Sequence, residues 1–204
     1  MPDKFQFSLF SKFPQIEHGF IGRASGLTEL AKHNFVISQQ VHGVKIYNIE
    51  KTFLGRLEID GYDGLATRQK EITLVLKTAD CAPLLFFDPV TQTIAAAHAG
   101  RAGTELGIAA KMVEHLAAVY SVNPADLLVG LGPAICVNCY QIDRARDLHY
   151  DLAAENQKQL TAAGVQNLEL SGLCTACSAQ ERFYSYRREK TDRRNFAFIR
   201  LKQV

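Results

Sequence analysis

Residues 77–103 read KTADCAPLLFFDPVTQTIAAAHAGRAG. Two apolar runs, ITLVLKTADC and TIAAAHAG, end on Cys81 and His98. Both are short, rich in apolar or β-branched residues and bounded by turn signals, so both predict strands. Asp88-Pro89 breaks the chain before the second run. Two strand ends would then deliver a thiol and an imidazole to one edge of a sheet. Such a pair can hold a soft metal ion or act as a Cys–His nucleophile. After His98 come Ala-Gly-Arg-Ala-Gly and a helical pattern. A glycine turn into a helix start offers free backbone N–H groups to an anion.

The chain has 204 residues, 47% of them hydrophobic, which is enough for one sizeable core. One domain over 1–204 is expected. The formal net charge of +2 gives no overall field favouring nucleic acid. No apolar run approaches the ~20 residues of a membrane helix. The first residues, MPDKFQFSLFSKF, lack the apolar stretch of a signal peptide. The five cysteines are an odd number. Without an export signal they point to a reducing, cytoplasmic setting rather than a disulfide framework.

Outward from the central stretch, Phe5, Phe7 and Leu9 alternate loosely and predict an N-terminal strand within 5–21. Arg23 follows in a glycine-flexed loop, where it is either a solvated charge or an anion-binding guanidinium. Phe35–Ser38 and Val44–Ile49 predict strands, with His42 at the bend between them in Gln-Val-His-Gly. Asp60-Gly61 and Asp63-Gly64 are turn dipeptides, and Asp63 could equally support a metal ligand. Strands are expected at Ile72–Lys77, Leu84–Phe87, Thr93–His98, Leu127–Leu131, Asn167–Leu170 and Asn195–Leu201. One helix is expected from Thr104 to Tyr120, burying Leu106, Ala109, Val113, Leu116 and Tyr120. Another is expected over 142–163, closed by Gly164.

His42, Cys81 and His98 are three nitrogen or sulfur ligands from three strand ends. Three protein ligands and an open fourth position make a catalytic zinc arrangement, with copper the alternative ion. The rival reading is a buried cysteine and two hydrogen-bonded histidines. Asp80, beside Cys81, is a candidate proton shuttle, a ligand-orienting carboxylate or a plain strand-end cap. Cys136-x-x-Cys139 and Cys174-x-x-Cys177 could meet as a second metal site. Against that stand their long separation and the lack of flanking glycines, which favour independent thiols. Arg187 and Arg188 would diverge if RFYSYRR (182–188) were a strand, so at most one would reach a shared pocket.

QQVHG, YDGLAT, KTADCAPLLFFD, AAAHAG, GPAICVNCYQID and the closing CT…RFYSYRR together resemble the laccase-domain family, also called multicopper-polyphenol-oxidase-like, YfiH-like or peptidoglycan editing factor. The motifs run in the family's order from about Gly19 to the end. The resemblance implies an α+β fold, a mixed α/β layered sandwich, and zinc held by His42, Cys81 and His98. It also implies phosphorolysis of adenosine, inosine and methylthioadenosine, with adenosine deamination as a further activity. The implied partners are a purine nucleoside and phosphate, with no nucleic acid or membrane, in a monomer or small homo-oligomer. Arg23, Arg101 and the HAGRAG helix start would cradle phosphate. Arg23, Asp63 and Arg187 would bind substrate.

Three departures stand out. The family reads HAGWRG where this chain reads HAGRAG, which moves Arg101 one place forward. The segment between Arg23 and QVHG is short, so an N-terminal helix is expected to be missing. Cys177 is additional. Two other functions compete: a metal or Cys–His hydrolase editing peptidoglycan precursors, and a non-catalytic binding protein stabilised by zinc. A multicopper oxidase needs more imidazoles than six scattered histidines supply.

Overall fold

The computed structural model describes residues 4–23, 26–178 and 182–203. Along the chain run β1 (Lys4–Phe5), α1 (Ser8–Ser11), β2 (Ile16–Ile21), a 3-10 segment (Gly26–Lys32), β3 (Asn34–Gln39), β4 (Ile46–Ile49) and β5 (Arg56–Asp60). Then follow β6 (Gly64–Thr67), β7 (Ile72–Thr78), β8 (Ala82–Asp88), β9 (Thr93–Ala99), α2 (Arg101–Glu105), α3 (Ile108–Tyr120) and β10 (Leu128–Leu131). Last come β11 (Gln141–Asp143), β12 (Leu148–His149), α4 (Leu152–Ala162), β13 (Asn167–Leu170), α5 (Tyr186–Glu189) and β14 (Asn195–Leu201).

Two mixed sheets form the layers, one ordered β1-β2-β14-β7-β3-β5 and the other β13-β10-β8-β9-β6-β4. The opening stretch decides this arrangement. β8 is flanked by β9 and β10 and must be apolar on both faces. Its alternate residues serve two cores. Leu84 and Phe86 join Ala95 and Ala97 of β9 against Ile108, Met112, Val113 and Leu116 of α3. Leu85 and Phe87 join Ile94 and Ala96 in the core between the sheets, with Leu74, Leu76, Ile199 and the aromatics Phe7, Phe10 and Phe20. Phe86 and Phe87 are fully buried, each contributing roughly 1.5–3 kcal/mol. A third cluster, including Leu30 of the 3-10 segment, covers the outer face of the first sheet around Val75 and Phe198.

The layered α/β sandwich is as expected, but three local expectations fail. The N-terminal strand expected within 5–21 is interrupted: residues 8–11 form a helical turn, and the regular strand is confined to Ile16–Ile21. Aromatic rings rather than strand alternation fix this segment: Phe7 packs on Phe5, Phe10 and His18. The helix over Thr104–Tyr120 is two helices, split at Gly107, whose φ of +84° ends the first. Leu106 is consequently exposed, while Ala109, Val113, Leu116 and Tyr120 are buried as expected. The helix over 142–163 occupies only Leu152–Ala162, where the Asp151 side chain caps Ala154 N–H. Residues 141–149 form a small antiparallel hairpin instead. Gly164, at φ +95°, closes α4 as predicted.

Candidate functional site

β8 and β9 pair antiparallel, with Ala82 opposite Ala99 and Pro83 opposite His98. That register sets Cys81, just before β8, beside the end of β9. His42 arrives from the turn after β3, in a left-handed conformation at φ +61°. The ligand atoms of His42, Cys81 and His98 lie within 4.8 Å of one another. Gly100 makes this possible, since a Cβ there would fall 2.6 Å from His42 Cδ2 and 3.0 Å from Cys81 Sγ.

Asp63 is the hub. It is fully buried, and its carboxylate accepts four hydrogen bonds. Three are from the backbone N–H groups of Val41 (3.2 Å), His42 (3.0 Å) and Gly43 (2.7 Å). The fourth, 2.8 Å, joins Oδ1 to His98 Nδ1. Burial opposes its charge, but the bonds from His98, Gly43 and Val41 prevail and hold the carboxyl below its ordinary range. With Nδ1 so engaged, His98 offers Nε2 as a ligand, a carboxylate–histidine pairing suited to a metal centre. Burial likewise opposes ionisation of Cys81, yet hydrogen bonding and charge from His42 and His98 bring its thiol down to about 6. His98 rises to about 9, because Asp63 and Cys81 outweigh the effect of burial. The trio is thus a thiolate beside a protonated His98 ring, whose proton a bound metal ion would displace.

The trio opens on a cavity of about 790 Å³, within the ~300–1,000 Å³ of small-molecule sites. Arg187 lines it, together with Lys77, Lys190, Arg194, Tyr140 and Tyr186. The Arg187 guanidinium sits 5.4 Å from the Tyr140 ring centroid, and Lys190 Nζ sits 4.8 Å from that of Tyr186. Arg187 and Arg188 do diverge, though from a short helix rather than a strand. Arg188 instead donates to the carbonyls of Thr175 (3.0 Å), Ala176 (2.8 Å) and Phe183 (2.7 Å). The basic turn EKTDRR carried the missed signal: two of its cations, Lys190 and Arg194, face the cavity.

Other candidates fall elsewhere. Asp63 is not among the cavity-lining residues, and its four hydrogen bonds lie beneath the trio. Asp80 lines the cavity, but Thr175 Oγ1 (2.7 Å) and the Arg187 N–H (2.6 Å) occupy its two carboxylate oxygens. It ties the C-terminal segment to the Cys81 loop rather than standing free as a proton shuttle. Arg23 is not among the cavity-lining residues: it pairs with Glu189, donates from Nε to Phe183 O at 3.1 Å and stacks on Tyr184. Arg101 is half-exposed, 3.6 Å from Glu105, with Tyr140 nearby. The HAGRAG segment opens only the single turn of α2, so the long helix does not start at the trio. The two CxxC pairs do meet: the four sulfurs lie within 4.8 Å of one another.

A layered α/β protein with a two-histidine, one-cysteine cluster on the floor of a cationic cavity is the class this geometry defines. The chain belongs to the family described as multi-copper polyphenol oxidoreductase laccase, whose model matches residues 21–147 and 142–202. It is 34% identical to the purine nucleoside phosphorylase YlmD of Geobacillus stearothermophilus, over 81% of this chain and 71% of that protein. To the protein of the same name from Bacillus subtilis it is 31% identical, over 84% and 72%. The crystal structure of the Bacillus licheniformis hypothetical protein YfiH superposes with a TM-score of 0.84 at 27% identity, covering 99% of this chain and 97% of that one. No helix among the described residues is long and apolar enough to cross a membrane.

A multicopper centre does not fit these residues. His42 and His98 are the two imidazoles in a ligand cluster among the described residues. The other four histidines have different partners: His18 takes the Phe7 N–H, His33 meets Arg200, His115 meets Asn48, and His149 meets the Val137 carbonyl. One ion at His42, Cys81 and His98 does fit. The donors converge, the ring of His98 is oriented by Asp63, and Gly100 leaves the space.

Proposed function

We propose that the chain is a purine nucleoside phosphorylase whose site is the cavity above His42, Cys81 and His98. The observation that carries this reading is one cavity holding three kinds of group: an N₂S trio, four cations (Lys77, Arg187, Lys190, Arg194) and two tyrosine rings. Cations suit phosphate, and ring faces suit a purine. A zinc ion held by the trio would supply Lewis acidity to a phosphate or sugar oxygen. Asp63 fixes the His98 tautomer and the 41–43 turn. Arg187 and Lys190 each cover one ring, so the anion would lie beside the base. In the reaction a phosphate oxygen bonds to C1′ while the C1′–N9 bond breaks, and the electron pair leaves with the purine, which takes up a proton.

The test is chromatography of metal-loaded protein incubated with inosine, adenosine or methylthioadenosine, with and without phosphate. Free base should appear only when phosphate is present. Arg187→Ala should raise the KM for phosphate roughly tenfold or more, the value of a charge-assisted hydrogen bond. No base from any nucleoside would overturn the proposal and favour a hydrolase of peptidoglycan precursors. Inosine from adenosine without phosphate would instead place deamination first.

A further inference from the structure

We propose that Cys136, Cys139, Cys174 and Cys177 form a second metal site, a tetrathiolate centre for zinc that braces one wall of the cavity. It stands independently of the nucleoside reading. The two pairs are far apart in sequence, but β10 and β13 are adjacent parallel strands, in register from Leu128–Asn167 to Leu131–Leu170. Both CxxC loops therefore leave the same end of the sheet. A bridge between Ala134 and Cys174 holds them side by side, with Thr175 N–H donating to Ala134 O at 3.1 Å.

Each loop is a tight turn without needing a flanking glycine. Cys139 N–H donates to Cys136 O at 3.0 Å in one, and Ser178 N–H to Cys174 O at 3.0 Å in the other. The Cys136 and Cys177 sulfurs are 3.9 Å apart. Tetrahedral zinc with bonds of about 2.3 Å has a sulfur–sulfur edge of about 3.8 Å. A disulfide would bring sulfurs to about 2.0 Å. The N–H groups of Cys136 and Ala176 both point at Cys174 Sγ, at 3.3 Å, as suits a thiolate ligand. Arg188 docks on the carbonyls of Thr175 and Ala176, bringing a positive charge to a centre that would carry net negative charge. An all-sulfur tetrahedral set disfavours hard, oxygen-seeking ions and suits zinc, and with four protein ligands the site is closed and structural.

The site would brace the wall through the residues between and beside its ligands. Ile135 and Tyr140 flank Cys136 and Cys139 and line the cavity. Ile135 N–H donates to Asp80 O at 2.9 Å, and Thr175, between Cys174 and Cys177, donates to the Asp80 carboxylate. Asp80 is the neighbour of Cys81, so the two centres share one backbone joint.

Elemental analysis of the purified, reduced protein should find about two zinc ions per chain, falling to about one in Cys136→Ser/Cys177→Ser and to about one in His42→Ala/His98→Ala. Because the cysteine variant could misfold, alkylation of the wild-type protein provides a second readout. Peptide mapping should show exposed Cys177 protected from iodoacetamide in zinc-loaded protein and modified after a strong chelator. Equal Cys177 labelling with and without chelator would overturn the proposal. So would unchanged zinc content in a folded cysteine variant, or a chain isolated under native conditions with these four cysteines paired as two disulfides.

Discussion

At the residue scale the site rests on Asp63 more than on any ligand. A turn dipeptide, Asp63-Gly64, hides a carboxylate that collects three backbone N–H groups and one imidazole. Asp63→Asn keeps the shape but loses the charge and forces an amide N–H toward donors. The zinc proposed at His42, Cys81 and His98, measured by competition with a chromophoric chelator, should be held about 10–100-fold more weakly, the usual cost of losing an outer-shell partner. Unchanged retention would show that the His42 turn is held by its own backbone. The convergence of His42, Cys81 and His98 was legible because Cys and His stood at strand ends. Asp63 was legible only as an ambiguity, since spacing cannot distinguish a turn carboxylate facing water from one facing inward. The cavity cations were hidden for a related reason. Lys190 and Arg194 stand among other charged residues with nothing in the sequence to set them apart, and only the fold of 182–194 over the Cys81 loop turns them inward.

At the element scale, short apolar runs bounded by turn signals located the central strands within a residue or two, because β7, β8 and β9 bury both faces. Helical spacing failed where one residue's backbone overrode the pattern. Gly107 is the clearest case: the apolar spacing from Leu106 to Tyr120 runs through it, but its φ of +84° ends one helix and starts another. An L-residue there is strained, so Gly107→Ala should cost about 1 kcal/mol or more. That corresponds to roughly 2–4 °C in the midpoint of a thermal melt for a chain of this size. A melt as high as wild type would mean that the α2–α3 joint can straighten. The hairpin at 141–149 escaped notice because its polar composition matches an exposed helix as well as an exposed ribbon.

At the scale of the whole molecule, stability should depend on pH through His18. This buried residue of β2 accepts the Phe7 N–H on Nε2 at 2.9 Å, anchoring the N-terminal aromatic cluster. Burial, and then the charge of Lys4, lower its pKa from 6.5 to about 4. The unfolded chain therefore binds this proton first as pH falls. The contribution of His18 is complete above about pH 6.5 and is lost as pH drops toward 4. Thermal midpoints across that window should fall more steeply for wild type than for His18→Gln, which keeps an acceptor but does not titrate. Parallel curves would remove His18 as a source of acid sensitivity.

β14 lies in the middle of the first sheet, bonded to β2 on one side and β7 on the other. Its residues, Asn195–Leu201, follow those of every other strand among the described residues. On a ribosome adding about 5–20 residues per second, β2 would wait on the order of ten seconds or more for its partner. Until then β2 and β7 both present unpaired edges, and the aromatic core between the sheets has one wall incomplete. The second sheet has no such dependence: β4, β6, β8, β9, β10 and β13 all emerge earlier. The molecule would thus be born from the layer carrying Cys81 and His98 outward, and its nascent form would be most exposed to mispairing and most in need of a chaperone just before β14 emerges.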